Sequence, residues 1–305
     1  MRTGIVVGSR GSQLSLVQTK SVIAKIREAN PRLNVNLRKI TTTGDRDSHS
    51  RLEGMGVAVF VKELEQALLS GTIDLAVHSL KDLPVDIPSR LSLVAVTKRL
   101  DPRDALVAAS KLDDLVPGSR IGTGSPRRTV QLSRYRPDLE VYGIRGNVDT
   151  RLRKLASGEV DGIIVAAAAM VRLGREEKIT EYLPPEHFLP AAGQGALALE
   201  ARLGDEETAG LVAPLNHGPT RQSVTAERAF FRAMGGGCHA PMAALGVVNG
   251  ATLKLEGMVA SHDGRKILQA SVAGNAISPE EVGTQLANKM LFLGASRFMD
   301  EVRKR

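Results

Sequence analysis

The sequence predicts an α/β protein of two similarly built α/β domains followed by a small α+β domain, and three observations carry that expectation. Apolar strand-like runs alternate with helix-periodic segments twice along the chain, the second time after a charged connector from Lys98 to Asp104. Ser70-Gly71-Thr72-Ile73-Asp74 is echoed by Ser157-Gly158-Glu159-Val160-Asp161, each between a helix and an apolar strand. Past Gln194 the alternation gives way to a hairpin and then a helix. The 305 residues, 42% hydrophobic and 24% charged, have the balance of a globular chain with a sizeable core, and the length favours two or three domains over one.

The elements follow in order. Ile5 to Gly8 reads as a buried strand, and Leu16, Val22, Ile23 and Ile26 then fall on one arc of a helix starting near Ser12. Leu33, Val35 and Leu37 alternate with Asn34, Asn36 and Arg38 as a strand should, which completes a β-α-β unit with parallel strands. A helix from Phe60 to Leu69 stops at Gly71, and Ile73 to Val77 is the next strand. The second unit runs through strand Arg120 to Gly122, a helix from Ser125, strand Leu139 to Tyr142, helix Val148 to Ala156 and strand Gly162 to Ala166. Thr252 to Ala260 and Ile267 to Val272 form a hairpin around Asp263-Gly264. Ser278-Pro279-Glu280-Glu281 opens the last helix with a capping box and a proline in its first turn, and Val282, Leu286 and Leu293 supply its apolar face. The paired Ser-Gly-x-apolar-Asp segments point to a duplicated domain, although such short matches also arise wherever a helix ends on glycine.

Charge and composition narrow the function. The 41 basic and 33 acidic residues give +8, so an anionic partner is expected. Nucleic acid is disfavoured, because the absence of tryptophan and the three tyrosines and six phenylalanines leave few stacking platforms, and the basic residues are spread along the chain. The longest apolar run, Ile163 to Val171, is far short of a bilayer span, and no signal peptide is visible, so neither a membrane nor export is expected. A single cysteine, Cys238, cannot form an internal disulfide, which fits a reducing, cytoplasmic setting.

Four segments could carry chemistry. Ala76 to Pro84 leaves the C-terminal end of a strand, where open α/β sheets place their ligand sites, and packs His78, Ser79, Lys81 and Asp82 together. The serine has no nucleophile elbow, so a hydrolase triad is a poor reading. If extended, Lys81 and Asp82 point to opposite sides, one to bind an anion and the other to handle protons. Ser9 to Ser12 and Thr123 to Ser125 each precede a helix, whose free N–H groups and positive dipole end suit an anion. Arg10, Arg127 and Arg128 would oppose those dipoles unless an anion sits there, and Arg145-Gly146-Asn147, with Arg151 one turn on, repeats the pattern. Gly122-Thr123-Gly124 lacks the third glycine of a dinucleotide fingerprint. Cys238 follows three glycines and precedes His239; without a second cysteine pair or spaced histidine, covalent modification is a sharper reading than a metal site, and none is expected.

Taken together, these segments resemble the porphobilinogen deaminase (hydroxymethylbilane synthase) family nearly end to end. The resemblance rests on Gly8-Ser9-Arg10-Gly11-Ser12 with Gln18, Phe60-Val61-Lys62-Glu63-Leu64-Glu65, His78-Ser79-Leu80-Lys81-Asp82-Leu83-Pro84, Arg127-Arg128, Arg145-Gly146-Asn147-Val148, Ala192-Gly193-Gln194-Gly195-Ala196 and Gly236-Gly237-Cys238, in family order. It implies two domains like type II periplasmic binding proteins, here 1–97 with 192–213 and 98–191, and a third domain, 214–305, carrying the cysteine. It also implies a monomer that joins four porphobilinogen molecules head to tail, each losing ammonia, and releases 1-hydroxymethylbilane. By motif match, Cys238 bears a dipyrromethane cofactor through a thioether and Asp82 is the acid/base group. Arg10, Ser12, Lys81, Arg127, Arg128, Arg145 and Arg151 would hold the acetate and propionate side chains, with Thr123, Ser125 and Gln194 assisting. The chain departs from the family pattern at Met55-Gly56-Val57-Ala58, where a lysine is frequent, at His239, and at Gly124 and Pro126 before the paired arginines. The competing reading is a non-catalytic, two-lobed anion-binding or effector-sensing module of the same fold.

Overall fold

The computed structural model describes residues 2–41, 61–235, 241–261 and 264–297. Phe60, Cys238, His239, Asp263 and the Met55 to Ala58 departure lie outside them. The described chain runs β1 (Gly4–Arg10), α1 (Gln13–Ala29), β2 (Asn34–Ile40), α2 (Lys62–Leu69), β3 (Leu75–Ser79) and β4 (Leu91–Val96). It continues through β5 (Asp104–Ala108), β6 (Arg120–Gly122), α3 (Pro126–Tyr135), β7 (Glu140–Tyr142), α4 (Val148–Ala156), β8 (Gly162–Ala166), α5 (Ala167–Arg172) and β9 (Glu181–Tyr182). Last come β10 (Leu197–Arg202), α6 (Glu206–Val212), α7 (Gly218–Ala233), β11 (Met242–Asn249), β12 (Thr252–Ala260), β13 (Ile267–Asn275) and α8 (Pro279–Phe292).

These elements form two compact units, Met1–Leu100 with Ala196–Arg221, and Asp101–Gly195 with Gln222–Arg305. The first holds a five-stranded sheet of order β2-β1-β3-β10-β4, in which β10 alone runs antiparallel to both neighbours. Ile5, Val7, Val22, Ile26 and Leu199 build the core on the α1 side, and Leu64, Leu68, Ile73 and Ala76 build the one beneath α2. The second unit holds a sheet of order β7-β6-β8-β5-β9, with β5 antiparallel to both neighbours. It also holds a three-stranded antiparallel sheet, β11-β12-β13, whose inner face packs on Phe230 of α7, Met234 just past its end, and Leu286 and Met290 of α8. The two five-stranded sheets share one topology: the second strand in each order, β1 or β6, is parallel to both neighbours, and the fourth, β10 or β5, is antiparallel to both.

The duplicated motif is this topology at residue scale. Gly71 (φ +72°) and Gly158 (φ +74°) end α2 and α4 in the left-handed conformation. Three residues on, Asp74 accepts from the Val6 N–H at 2.9 Å, and Asp161 accepts from the Arg120 N–H at 2.8 Å. Each aspartate's own N–H returns a 2.8 Å bond to the same strand, at Val6 O and Arg120 O. The motif therefore stitches the exit of a helix to the strand that is parallel to both its neighbours, β1 or β6, in both places.

Three local expectations change. The strand read as Ile73 to Val77 begins at Leu75, because the Thr72 and Ile73 N–H groups still close the end of α2 on Ala67 O. Asp104 belongs not to the charged connector but to β5, where it is fully buried. Ser278 stands at the N-cap of α8 but makes no capping bond, and its φ of −117° and ψ of 57° lie outside the extended backbone that a capping serine adopts.

An added Cβ at Gly71 or Gly158 meets nothing within 4 Å, so the cost of alanine is conformational alone. Gly71→Ala and Gly158→Ala should each lower stability by about 1–2 kcal/mol in urea unfolding. Gly283→Ala should cost more, because its Cβ would lie 2.4 Å from Ala226 O.

Candidate active site

In the first unit the site is built on the C-terminal ends of β1 and β3. Ser12 caps α1, its Oγ accepting from the Ser15 N–H at 3.2 Å, and Arg10 is half-buried at the end of β1. From α1, the buried Gln18 donates through Nε2 to Ser79 Oγ at 2.8 Å, which fixes the last residue of β3. The chain then makes a single 3-10 turn, Leu80–Asp82. Side chains three apart eclipse in such a turn. Leu80 and Leu83 are accordingly both buried and anchor it, while the Leu80 N–H bonds to Ala196 O at 3.1 Å. Lys81 and Asp82 are left half-buried between the anchors. The turn replaces the extended geometry expected for this pair: successive residues lie about a third of a turn apart and not on opposite sides.

In the second unit the paired arginines are interior groups. Asp104 is fully buried; Arg127 Nη1 reaches its Oδ2 and Arg128 Nη2 its Oδ1, each at 2.7 Å. Arg127 also donates to Leu189 O at 2.7 Å and Arg128 to Ile164 O at 2.9 Å. Gln194 completes the cluster, its Nε2 donating to Asp104 Oδ1 at 2.9 Å and to Pro102 O at 2.7 Å. Burial opposes ionisation of Asp104, but the two guanidinium charges and their hydrogen bonds hold its carboxyl well below the usual carboxylate range. One donor is left over, since Arg128 Nε is buried without a hydrogen-bond partner.

Above this cluster Ser125 caps α3 and Asn147 caps α4, accepting from the Arg128 and Thr150 N–H groups. The buried Thr123 accepts from the Ser125 N–H at 3.2 Å. Glycine is required between them, because a Cβ at Gly124 would lie 2.8 Å from Ile144 O. Arg145 is exposed, and Arg151 donates to Gly146 O at 2.9 Å. Burial, with the nearby Arg128 charge, lowers the Arg151 guanidinium to about 10. A residue the sequence reading passed over behaves the same way: Arg172, at the end of α5, donates to Gly195 O at 2.7 Å and is lowered to about 10 by burial. Among the described residues neither Arg151 nor Arg172 has an acid partner. The only sequence signal for Arg172 is a lone cation closing the apolar run from Ala166 to Val171. The signal for Asp104 is its position directly before Ala105-Leu106-Val107.

Asp104→Asn should leave two buried guanidiniums facing a neutral amide and destabilise the protein by about 3–5 kcal/mol, read by thermal unfolding. The carboxyl is depressed in the folded state, so its contribution is complete at neutral pH and is lost as pH falls below the ordinary carboxylate range toward the folded value. The gap between wild type and Asp104→Asn should narrow on acidification.

The family model described as "Porphobilinogen deaminase, dipyromethane cofactor binding domain" matches residues 5–210, and "Porphobilinogen deaminase, C-terminal domain" matches 221–292. Porphobilinogen deaminase of Thermus thermophilus is 46% identical over 302 residues, covering 98% of this chain and 99% of that protein. The Bacillus subtilis porphobilinogen deaminase is 47% identical over 309 residues, covering 100% and 98%. Among solved structures, the methionine binding protein MetQ is 14% identical with a TM-score of 0.42, covering 72% of this chain and 91% of that one. On the two family matches and the near full-length relatives, the chain belongs to the porphobilinogen deaminase family.

Proposed function

We propose that this protein condenses four porphobilinogen molecules head to tail, with loss of ammonia, and releases 1-hydroxymethylbilane, using a dipyrromethane primer attached to Cys238. Within the family, the observation that carries the residue assignment is the anchored turn that presents a half-buried Asp82 beside Lys81. The non-catalytic anion-binding alternative is not favoured, because relatives matched over nearly the whole chain are named as deaminases.

The cation set fits a polycarboxylate. Every pyrrole unit brings an acetate and a propionate, and the chain offers Arg151 and Arg172 without acid partners, plus the orphan donor at Arg128 Nε. The dipyrromethane, when bound, supplies the pyrrole carbon from which the product chain grows. Arg10, Lys81, Arg145, Arg151 and Arg172 would take carboxylates as charge partners, and Ser12, Thr123 and Ser125 would add hydroxyl contacts. Arg127 and Arg128 act from within the Asp104 cluster, with Gln194 holding the carboxylate between them.

Asp82 supplies the proton chemistry. Ammonia leaves an aminomethylpyrrole as positive charge develops on the ring, and a carboxylate stabilises that charge while exchanging protons with the amine and later with the ring carbon. Lys81 cannot substitute, since an ammonium beside a developing cation is repulsive; its place is on a carboxylate. A lone thiol intended for covalent attachment supports a reducing, cytoplasmic setting.

Three outcomes test this reading. Asp82→Asn, with cofactor occupancy matched by mass, should consume porphobilinogen roughly 10²- to 10⁴-fold more slowly, and Asp82→Glu should retain more activity because it keeps the charge. Wild-type turnover in Asp82→Asn would refute the assignment. Arg151→Leu should accumulate enzyme-bound intermediates of partial length. In the native enzyme, carboxylate binding should weaken as pH rises toward about 10, where Arg151 and Arg172 lose charge that an ordinary guanidinium would keep.

A further inference from the structure

Residues 192–195 form a turn with two glycines in the left-handed region, Gly193 (φ +73°) and Gly195 (φ +93°), on either side of Gln194. Glycine passes readily between backbone conformations, so such a turn takes its shape from the groups that hold it. The Gln194 N–H closes it on Ala191 O at 3.0 Å, and the Gln194 side chain ties it to Asp104 and Pro102 O. At its far end Gly195 O accepts from Arg172 Nη2 at 2.7 Å. At its near end the hold comes from α7. Glu227 of that helix is fully buried; its Oε2 accepts from the Gly193 N–H at 2.7 Å and its Oε1 from the Gly246 N–H of β11 at 2.8 Å.

The sequence builds this hold by bringing α7 close to β11. A Cβ at Gly246 would lie 2.9 Å from Ser223 O, so only glycine lets the helix approach so near, and Glu227 follows Ser223 by four residues on the same helix face. From β11 the Ala244 N–H adds a second tie to the segment before the turn, at Pro190 O, 3.2 Å away. A carboxylate suits the place chemically, because it offers two acceptor oxygens and no donor to two buried N–H groups. An amide would turn its NH2 group toward one of them and leave that N–H unpaired.

We infer that Glu227 is a positioning residue for Arg172: by fixing the Gly193 N–H it sets the two-glycine turn, and with it the Gly195 carbonyl that orients the Arg172 guanidinium for substrate carboxylates. Among the described residues Arg172 has no acid partner, and its side-chain hydrogen bond goes to Gly195 O. A guanidinium donates from a rigid planar fork, so the carbonyl that takes one N–H fixes where the others point. A turn released at Gly193 shifts Gly195 O two residues on, and the fork shifts with it. Misplacing a binding group by about an ångström costs roughly 10²-fold in rate, even when the change lies far from the chemistry. This inference rests on the assignment of Arg172 to the carboxylates of the growing pyrrole chain.

The test is a double-mutant cycle on kcat/KM for porphobilinogen in wild type, Glu227→Gln, Arg172→Leu and the double variant, all cofactor-loaded by intact mass. Glu227→Gln should lower kcat/KM about 10- to 100-fold when Arg172 is present, and no more than about threefold in the Arg172→Leu background, where the group to be oriented is gone. A purely structural role would give the same loss in both backgrounds. Equal losses, or a Glu227→Gln enzyme as fast as wild type, overturn the inference. Amide hydrogen exchange supplies a second readout: in loaded wild type the Gly193 N–H should exchange as slowly as that of Gly246, and exchange at the rate of an open amide overturns the inference whichever variants fold. If Glu227→Gln does not fold, Glu227→Asp, which keeps both oxygens but draws them back by one methylene, takes its place in the cycle. Failure of the carboxylate assignment looks different, because Arg172→Leu alone would then match wild type in kcat/KM, and the inference would fall with it.

Discussion

A carboxylate sealed away from water must be met by cations the chain itself supplies, and in the second unit that requirement falls on Asp104. It sits at the start of β5, takes both arginines from the first turn of α3 and draws in Gln194. Through those arginines it also fastens the carbonyls of Ile164 and Leu189. Five stretches of chain are thereby tied to one carboxylate. The desolvation of three charged groups makes such a cluster costly to build and costlier to break, since losing one member strands the others. The interaction also leaves one positive charge in excess, in the half of the chain that binds anions by our reading.

The same economy governs the rest of the candidate site. Ser12, Ser125 and Asn147 accept from first-turn N–H groups of α1, α3 and α4, donors that the guanidinium groups nearby, having no acceptor of their own, cannot satisfy. Among the described residues, Arg151 and Arg172 hydrogen-bond backbone carbonyls and are desolvated without acid partners. Such groups are under-compensated in the isolated protein, and a carboxylate-rich ligand offsets that cost on binding. In the first unit, Leu80 and Leu83 bury themselves so that Lys81 and Asp82 need not.

Local pattern made much of this legible. The bounds of α4, β8 and β12 coincide with the expected ones because apolar period and terminal signals agree there. The Ser-Gly-x-apolar-Asp echo proved to be the same helix-to-strand stitch in both sheets. What stayed hidden depends on distance along the chain. Leu197 pairs with Ser79 across more than a hundred residues, so no window reveals that β10 returns to the first sheet or that Glu200 meets His78. Asp104 was read as part of a charged connector with Asp101 and Arg103, because sequence shows neighbours and not partners. The paired arginines were legible as important, but their embrace of Asp104 was not. Gly236, Gly237 and Cys238 lie outside the described residues, and their role rests on sequence and family alone.

The most direct measurement is the intact mass of the native protein beside that of Cys238→Ser. The account predicts that wild type exceeds the mass of its polypeptide by a covalently held pair of linked pyrroles and that Cys238→Ser matches the bare chain and is inactive. A wild-type enzyme that turns over porphobilinogen at the mass of the unmodified polypeptide would contradict it.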